Sequence, residues 1–243
     1  MNTGIRIIFY IVSVFHRTHI SLVYLLIKVH SMTKDKIVII VNKTKVKRYI
    51  RIFENDSVKI APFDEETMSE WSEKASIVLL CIESFADMVR YLRMQDKFDN
   101  SRIVVIVGNK IIFANFLSKF INAGAIRSKQ TGILFIMECI LDALTRPGLL
   151  EINVSDFLQI HKYGEVWFES CTGMKEIMLY RMVREREMRK NYRCCLVNVT
   201  GDITLQDASD FCSIMLLCED ARMGFRYEED EEIRVFSLWR VRR

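Results

Sequence analysis

A chain of 243 residues, half of them hydrophobic, 27% charged and only two of them proline, holds enough apolar material for a sizeable core. Disordered, fibrous and low-complexity classes are thereby excluded. The net charge of +4 rests on the first thirty residues, which carry Arg6, Arg17 and Lys28 and no acid, so the remainder is near neutral and presents no basic field for nucleic acid.

The leader, residues 1–31, holds two apolar runs, Ile7 to Phe15 and Ile20 to Ile27, divided by His16-Arg17-Thr18-His19. Each is too short to cross ~30 Å of hydrocarbon as a helix. Met32-Thr-Lys-Asp-Lys directly precedes the first convincing strand and reads as the true start, with an interfacial membrane anchor as the alternative use of the leader. Any membrane contact is expected only through residues 1–31, and the rest of the chain is expected in the cytoplasm.

From Ile37 the pattern alternates. Ile37–Val41, Val58–Ala61, Ile77–Ile82 and Ile103–Val107 are short runs rich in β-branched residues, as expected of parallel strands buried on both faces. The Lys43-Thr-Lys-Val-Lys-Arg48 run between the first two reads as surface, with anionic lipid as its other use. Ser84-Phe-Ala-Asp87 opens a helix in the manner of a capping box, with Phe85, Met88, Val89 and Leu92 expected on its inner face. Ile112, Phe113, Phe116, Leu117 and Phe120 repeat at helical spacing.

Next, Ile133, Ile136, Met137, Ile140, Leu141 and Leu144 form one stripe, while Leu134, Phe135 and Cys139 make the other side apolar too. A helix apolar all round is expected to be surrounded by protein, here as a central helix between two layers. Arg146-Pro147-Gly148 stops it. Beyond lie a helix near Val154 to His161, a strand near Val166 to Glu169, a helix from Met174 and a strand from Cys194 to Val199. A helix capped by Thr204 follows, with Leu205, Ala208, Cys212 and Met215 inward; Met223–Tyr227 and Ile233–Trp239 read as a hairpin around an acidic turn, Glu228 to Glu232. The expected fold class is α/β: a reduced Rossmann-like parallel layer, a central helix and an α+β C-terminal domain. The boundaries read 32–127, 128–146 and 147–243 after the leader.

Chemistry-bearing clusters are scarce. Seven cysteines form no CxxC pair and read as reduced core residues, including the vicinal Cys194-Cys195. His161 is the one histidine beyond the leader, so neither a metal site nor a Ser-His-Asp arrangement is expected.

Two segments carry a family resemblance. Leu144-Thr-Arg-Pro-Gly-Leu-Leu-Glu-Ile-Asn-Val-Ser-Asp-Phe157 resembles the end of the central helix and the synergy loop of FtsZ, the bacterial tubulin homologue, whose usual pattern is ITRPGLMNVDFADV. Cys195-Leu-Val-Asn-Val-Thr-Gly-Asp-Ile-Thr-Leu-Gln-Asp-Ala208 resembles the family's VLVNITGG-DLTL-E segment, and Gly164 to Gly173 falls where FtsZ has its GYAMMGSG strand. The resemblance spans residues 100 to 240. It implies a tubulin-like fold and filament chemistry.

Departures from the family shape the functional expectation. FtsZ and tubulin bind GTP through a GGGTGTG loop after a strand, whose backbone amides wrap the phosphates. Here the comparable strand, Ile77–Ile82, leads into Glu83-Ser84-Phe85-Ala86-Asp87, without glycine and with two acids that repel phosphate. Glu83, Ser84 and Asp87 thus stand at a degenerate phosphate-loop position, in a domain shorter than the family's first half. In the synergy loop the family supplies two acids that polarise water. Aligned from Pro147 and Gly148, the family's Asn falls at Glu151, its first Asp at Asn153 and its second at Asp156, so one acid of the pair remains.

The resulting expectation is a non-enzymatic FtsZ-like interaction protein that binds no cofactor, with Pro147, Gly148, Glu151, Asn153 and Asp156 as its interaction face. It would cap or modulate FtsZ filaments, or assemble with itself. The alternative is a divergent, weak GTPase that binds GTP. Without the family, Asp156 reads as a helix N-terminal acid opposite the dipole and Glu151 as a solvated loop residue.

Overall fold

The computed structural model describes residues 36–108, 124–128, 132–159, 165–188, 192–215, 222–230 and 232–241. The leader, the helix expected over Ile112–Phe120 and His161 lie outside these residues.

The first half is a doubly wound layer. Strands β1 (Ile37–Val41), β2 (Val58–Pro62), β3 (Ile77–Ile82), β4 (Ile103–Val107) and β5 (Gly124–Arg127) pair in parallel in the order β2-β1-β3-β4-β5. Helix α1 (Val46–Phe53) joins β1 to β2, α2 (Glu65–Lys74) joins β2 to β3, and α3 (Phe85–Met94) leaves β3. Strand periodicity of two sorts the apolar runs onto two faces. Ile37, Ile39, Leu79, Cys81, Val104 and Ile106 belong to one core with Tyr49 and Phe53 of α1. Val38, Ile40, Val78, Leu80, Val105 and Val107 belong to the other, with Met68 of α2 and Met88, Tyr91 and Met94 of α3. Both faces are covered, which is why β1, β3 and β4 tolerate no polar residue.

The sheet continues without a break into the second half. β6 (Glu165–Gly173) pairs in parallel with β5 over three residues, then antiparallel with β9 (Ile233–Val241) over eight; β7 (Tyr192–Gly201) follows β9, and β8 (Arg222–Tyr227) closes the sheet. Helix α4 (Ile133–Thr145) spans the narrow β5–β6 junction. Its Ile136, Met137 and Ile140 share one core with Leu79 and Ile106 on one side and Phe168, Leu196 and Leu238 on the other. On the opposite face, α6 (Lys175–Met188) and α7 (Leu205–Met215) enclose a third core through Met178, Ala208 and Phe211 against Val197, Val199, Val235 and Trp239.

Four local expectations are corrected. The segments read as a terminal hairpin do not pair with each other: β8 and β9 lie on either side of β7, β8 parallel and β9 antiparallel to it, because β7 carries apolar residues on both faces and takes the sheet's interior position. Helix α4 is not enclosed all round, since Phe135 is 46% exposed and caps the core edge-on through Phe168. In α3 the inner face is Asp87, Met88, Tyr91 and Met94, with Phe85 48% exposed, because the cap turns the first residue outward. In α7 Leu205, in the same first position, is 72% exposed.

Candidate functional site

In a doubly wound sheet, ligands bind in the crevice outside the carboxyl ends of the strands, where the chain reverses its winding direction. Here that point lies between β1 and β3, since β1 winds outward to β2 and β2 returns across it to β3. The residues that follow the two strands, Asn42 and Glu83, open the crevice.

It is filled by the protein's own side chains. Ser84 is the N-cap of α3: its Oγ accepts from the Asp87 N–H at 3.1 Å and donates to Asp87 Oδ2 at 2.6 Å. Asp87 Oδ1 accepts from Asn42 Nδ2 at 2.8 Å, bridging the two strand ends. Asn42 in turn accepts from the Thr44 N–H and hydroxyl, fixing a 3₁₀ turn over Lys43–Lys45. That turn delivers Lys45 onto the Glu83 carboxylate, which also accepts from Tyr49 Oη at 3.0 Å. Burial, with the neighbouring Cys81 and Glu83, pushes the Tyr49 hydroxyl far above its ordinary value, so it stays a donor. Among the described residues that form this network, one ammonium stands against two carboxylates, Glu83 and Asp87. The N-terminus of α3, where a phosphate would bind in such a fold, is already occupied by Ser84 and Asp87.

The second predicted site lies at the other end of the strands. After α4, Arg146-Pro147-Gly148 turns the chain along the edge of β8: Leu149 N–H donates to Phe225 O at 2.7 Å, and Phe225 N–H donates to Leu150 O at 2.9 Å. Gly148 is required there, because a Cβ would lie 2.6 Å from Phe225 O. Asn153 caps the short helix α5 (Val154–Leu158), accepting from the Asp156 N–H at 3.0 Å, while its own N–H donates to Asp156 Oδ2 at 3.0 Å. Asp156 Oδ1 faces Arg222 Nε at 3.2 Å. Both Asp156 oxygens are thus engaged, and the side chain holds a helix start rather than a free base. Glu151 is exposed and has no hydrogen-bond or ion-pair partner among the described residues, and Pro147, Leu149 and Leu150 are exposed beside it.

Behind this face, Asp142 at the end of α4 and Glu228 hold Arg226, with Arg146 at 3.0 Å from Asp142 and Arg234 on Glu228. Burial would lower the Arg226 pKa, but its two carboxylates raise it, so it stays charged. Glu228, which the sequence placed in the acidic turn of a hairpin, is therefore a structural anion. An open depression of about 470 Å³ lies between Asn153, Ser155 and Leu158 and the amino-end residues Ser76 and Arg102. Arg102 is committed there to the Glu73 and Ala75 carbonyls.

Glu83, Ser84 and Asp87 therefore come together at the carboxyl ends of the strands, and the residues from Pro147 to Asp156 gather toward the amino ends. Asn42, Lys45 and Tyr49 were not among the predicted site residues. The only cue for them was an Asn immediately after a buried apolar strand. Among the described residues, no group of three or more His, Cys, Asp or Glu is placed to hold a metal ion, and no helix is long and apolar enough to cross a membrane.

No protein-family model and no curated protein matches this chain. Among solved structures it is similar to the W319Y mutant of FtsZ from M. jannaschii, at 11% identity and TM-score 0.49, over 89% of this chain and 93% of that one. It is also similar to GDP-bound CetZ1 from Haloferax volcanii, at 11% identity and TM-score 0.49, over 84% and 93% of the two chains. A third is TubZ from Bacillus thuringiensis serovar israelensis in GDP-form protofilaments, at 8% identity and TM-score 0.48, over 88% and 89%.

Proposed function

We propose that this chain is a non-enzymatic, FtsZ-like interaction protein whose phosphate crevice is closed by its own side chains. The observation that carries this reading is the network joining Asn42, Lys45 and Tyr49 to Glu83, Ser84 and Asp87. A triphosphate entering there would have to displace Asp87 from the α3 cap, separate Lys45 from Glu83 and lie beside two carboxylates, with no glycine in the loop to let the backbone approach. The state of Asp156 agrees with this: of the two acids that the resemblance implies for catalysis, one is Asn153 and the other is bound in a capping box and to Arg222.

Retaining one filament face and closing the other defines a mode of action. A head-to-tail chain needs both complementary faces on every subunit. A protein that offers only the Pro147–Asp156 face would add to the exposed nucleotide end of an FtsZ-type filament and block the next addition. Self-association through another surface is the competing outcome of the same experiment.

The test follows FtsZ polymerisation with GTP by light scattering while this protein is added well below equimolar amounts. Shortened filaments are expected, with the effect lost in Leu149→Asp/Glu151→Lys, positions whose exposure spares the fold. No change in filaments and no co-sedimentation would reject capping. Saturable GTP binding at micromolar nucleotide would overturn the reading as a whole in favour of a divergent GTPase.

A further inference from the structure

The basic run after β1 divides in the folded chain. Lys43, though exposed, pairs with Asp64 at 3.4 Å and Lys45 binds Glu83, so both charges are already partnered. Lys47, Arg48 and Arg51 are exposed and have no hydrogen-bond or ion-pair partner among the described residues. All three lie on α1, whose sequence VKRYIRIF makes it the one described α-helix without an acidic residue. At 100° per residue, buried Tyr49 and Phe53 hold one side to the sheet and Lys47 and Arg51 form the opposite crest, with Arg48 beside them. Ile50 and Ile52 flank the crest, 38% and 51% exposed. Helix α2 differs in bearing Glu65, Glu66, Glu70 and Glu73, and α6 intersperses its arginines with Glu176, Glu185 and Glu187.

A second observation is where the chain enters the fold. The Ile37 N–H donates to Ser57 O at 3.1 Å, so the start of β1 is fastened to the connection just past α1. The sequence that leads into this point contains the apolar runs Ile7–Phe15 and Ile20–Ile27 and three basic residues without an acid. An apolar segment or a polybasic patch alone gives weak, reversible membrane binding, and the two together give a stable one.

We propose that Lys47, Arg48 and Arg51, flanked by Ile50 and Ile52, form a docking ridge for an anionic phospholipid surface. The ridge lies outside residues 1–31, takes Lys47 and Arg48 from the basic run for which the sequence left anionic lipid open while adding Arg51, Ile50 and Ile52 to them, and does not depend on the filament reading. The isoleucines favour lipid over nucleic acid, because they would leave water at the headgroup boundary and gain nothing against a phosphate backbone. A convex ridge of two helical turns also supplies few charges for a nucleic-acid groove.

The experiment is co-sedimentation of the full chain with vesicles of phosphatidylcholine alone and of phosphatidylcholine mixed with phosphatidylserine. Binding is expected to be stronger on the mixed vesicles and to fall with salt. Each basic residue near such a surface contributes roughly a fivefold gain, so Lys47→Gln/Arg48→Gln/Arg51→Gln should weaken binding to the mixed vesicles on the order of 100-fold. Ile50→Ser/Ile52→Ser should weaken it with the charges intact, and Lys47→Arg should leave it unchanged. Equal binding to both vesicles, or undiminished binding by the triple variant with an unaltered melting curve, would overturn the ridge. So would a triple variant that lost retention on an oligonucleotide while keeping its phosphatidylserine binding.

Discussion

Replacing Asp87 by alanine tests the closed crevice directly, because this carboxylate joins the ends of two strands. It is 6% exposed and accepts two side-chain hydrogen bonds, from Asn42 at 2.8 Å and Ser84 at 2.6 Å. A hydrogen bond to a charged group contributes about 1.5–3 kcal/mol, and the variant leaves the Asn42 amide with a donor unpaired. Relief of the repulsion between Asp87 and Glu83 offsets part of that loss, and Ser84 still accepts from the residue 87 N–H. The net cost is then about 2–4 kcal/mol. For a unit spanning Asp35–Arg243 this lowers Tm by roughly 5–15 °C. Urea denaturation should show the loss as a shifted midpoint with an unchanged slope. Asn42→Ala removes the same bond from its other end, so the double variant should show a coupling of about 1–2 kcal/mol. A change below ~0.5 kcal/mol for Asp87→Ala, or additive single variants, would refute the network as the element that closes the crevice.

Gly148→Ala should destabilise by about 2–3 kcal/mol, since its Cβ would press on Phe225 O and loosen the bonds that tie the loop to β8. Gly132→Ala, whose Cβ meets nothing within 4 Å, should stay within about 0.5 kcal/mol of the parent in the same denaturation experiment. Burial alone would raise the Asp207 pKa, but the Thr204 hydroxyl and N–H, together with Lys175 at 2.9 Å, outweigh it and hold the carboxyl below the usual range. A depressed folded pKa gives stability that is present above the unfolded value and lost as pH falls through the folded one. The stability difference between the parent and Asp207→Asn should therefore be evident at pH 7 and shrink below pH ~4.

The strands were legible because burial on both faces writes an unmistakable signature. Ile37–Val41, Ile77–Ile82 and Ile103–Val107 are apolar at every position, and no solvent-exposed element is written that way. Caps were legible for a similar reason. Ser84 and Thr204 each precede a carboxylate by three residues, and this spacing satisfies the first turn by short-range geometry alone; Asn153 and Asp156 share the spacing, but the Asn153 cap was not read from it. The order of β8 and β9 was not legible. Both segments alternate as strands near an acidic turn, and a hairpin is the shortest-range solution. What overrode it was a long-range preference, because β7 has apolar residues for both cores and gains more with a neighbour on each edge.

The candidate site divides along the same line. The sequence by itself determined that no glycine follows β3 before Gly108, that two acids, Glu83 and Asp87, stand just after the strand and that Asn153 and Asp156 stand three residues apart, because those are statements about residue type at a fixed spacing. Only the tertiary structure decided where the charges go. Lys43 and Lys47 are alike in sequence, yet Lys43 reaches Asp64 while Lys47 points away from the sheet, because a 3₁₀ turn fixed by Asn42 rotates the chain before α1 begins. Asp87 reads as a cap residue, and it becomes the closure of a crevice only because parallel pairing of β1 and β3 brings Asn42 within 2.8 Å across 45 residues of chain. Local chemistry is encoded by neighbours in sequence; the partner of a buried charge is set by which strands lie side by side, and that is a property of the whole core.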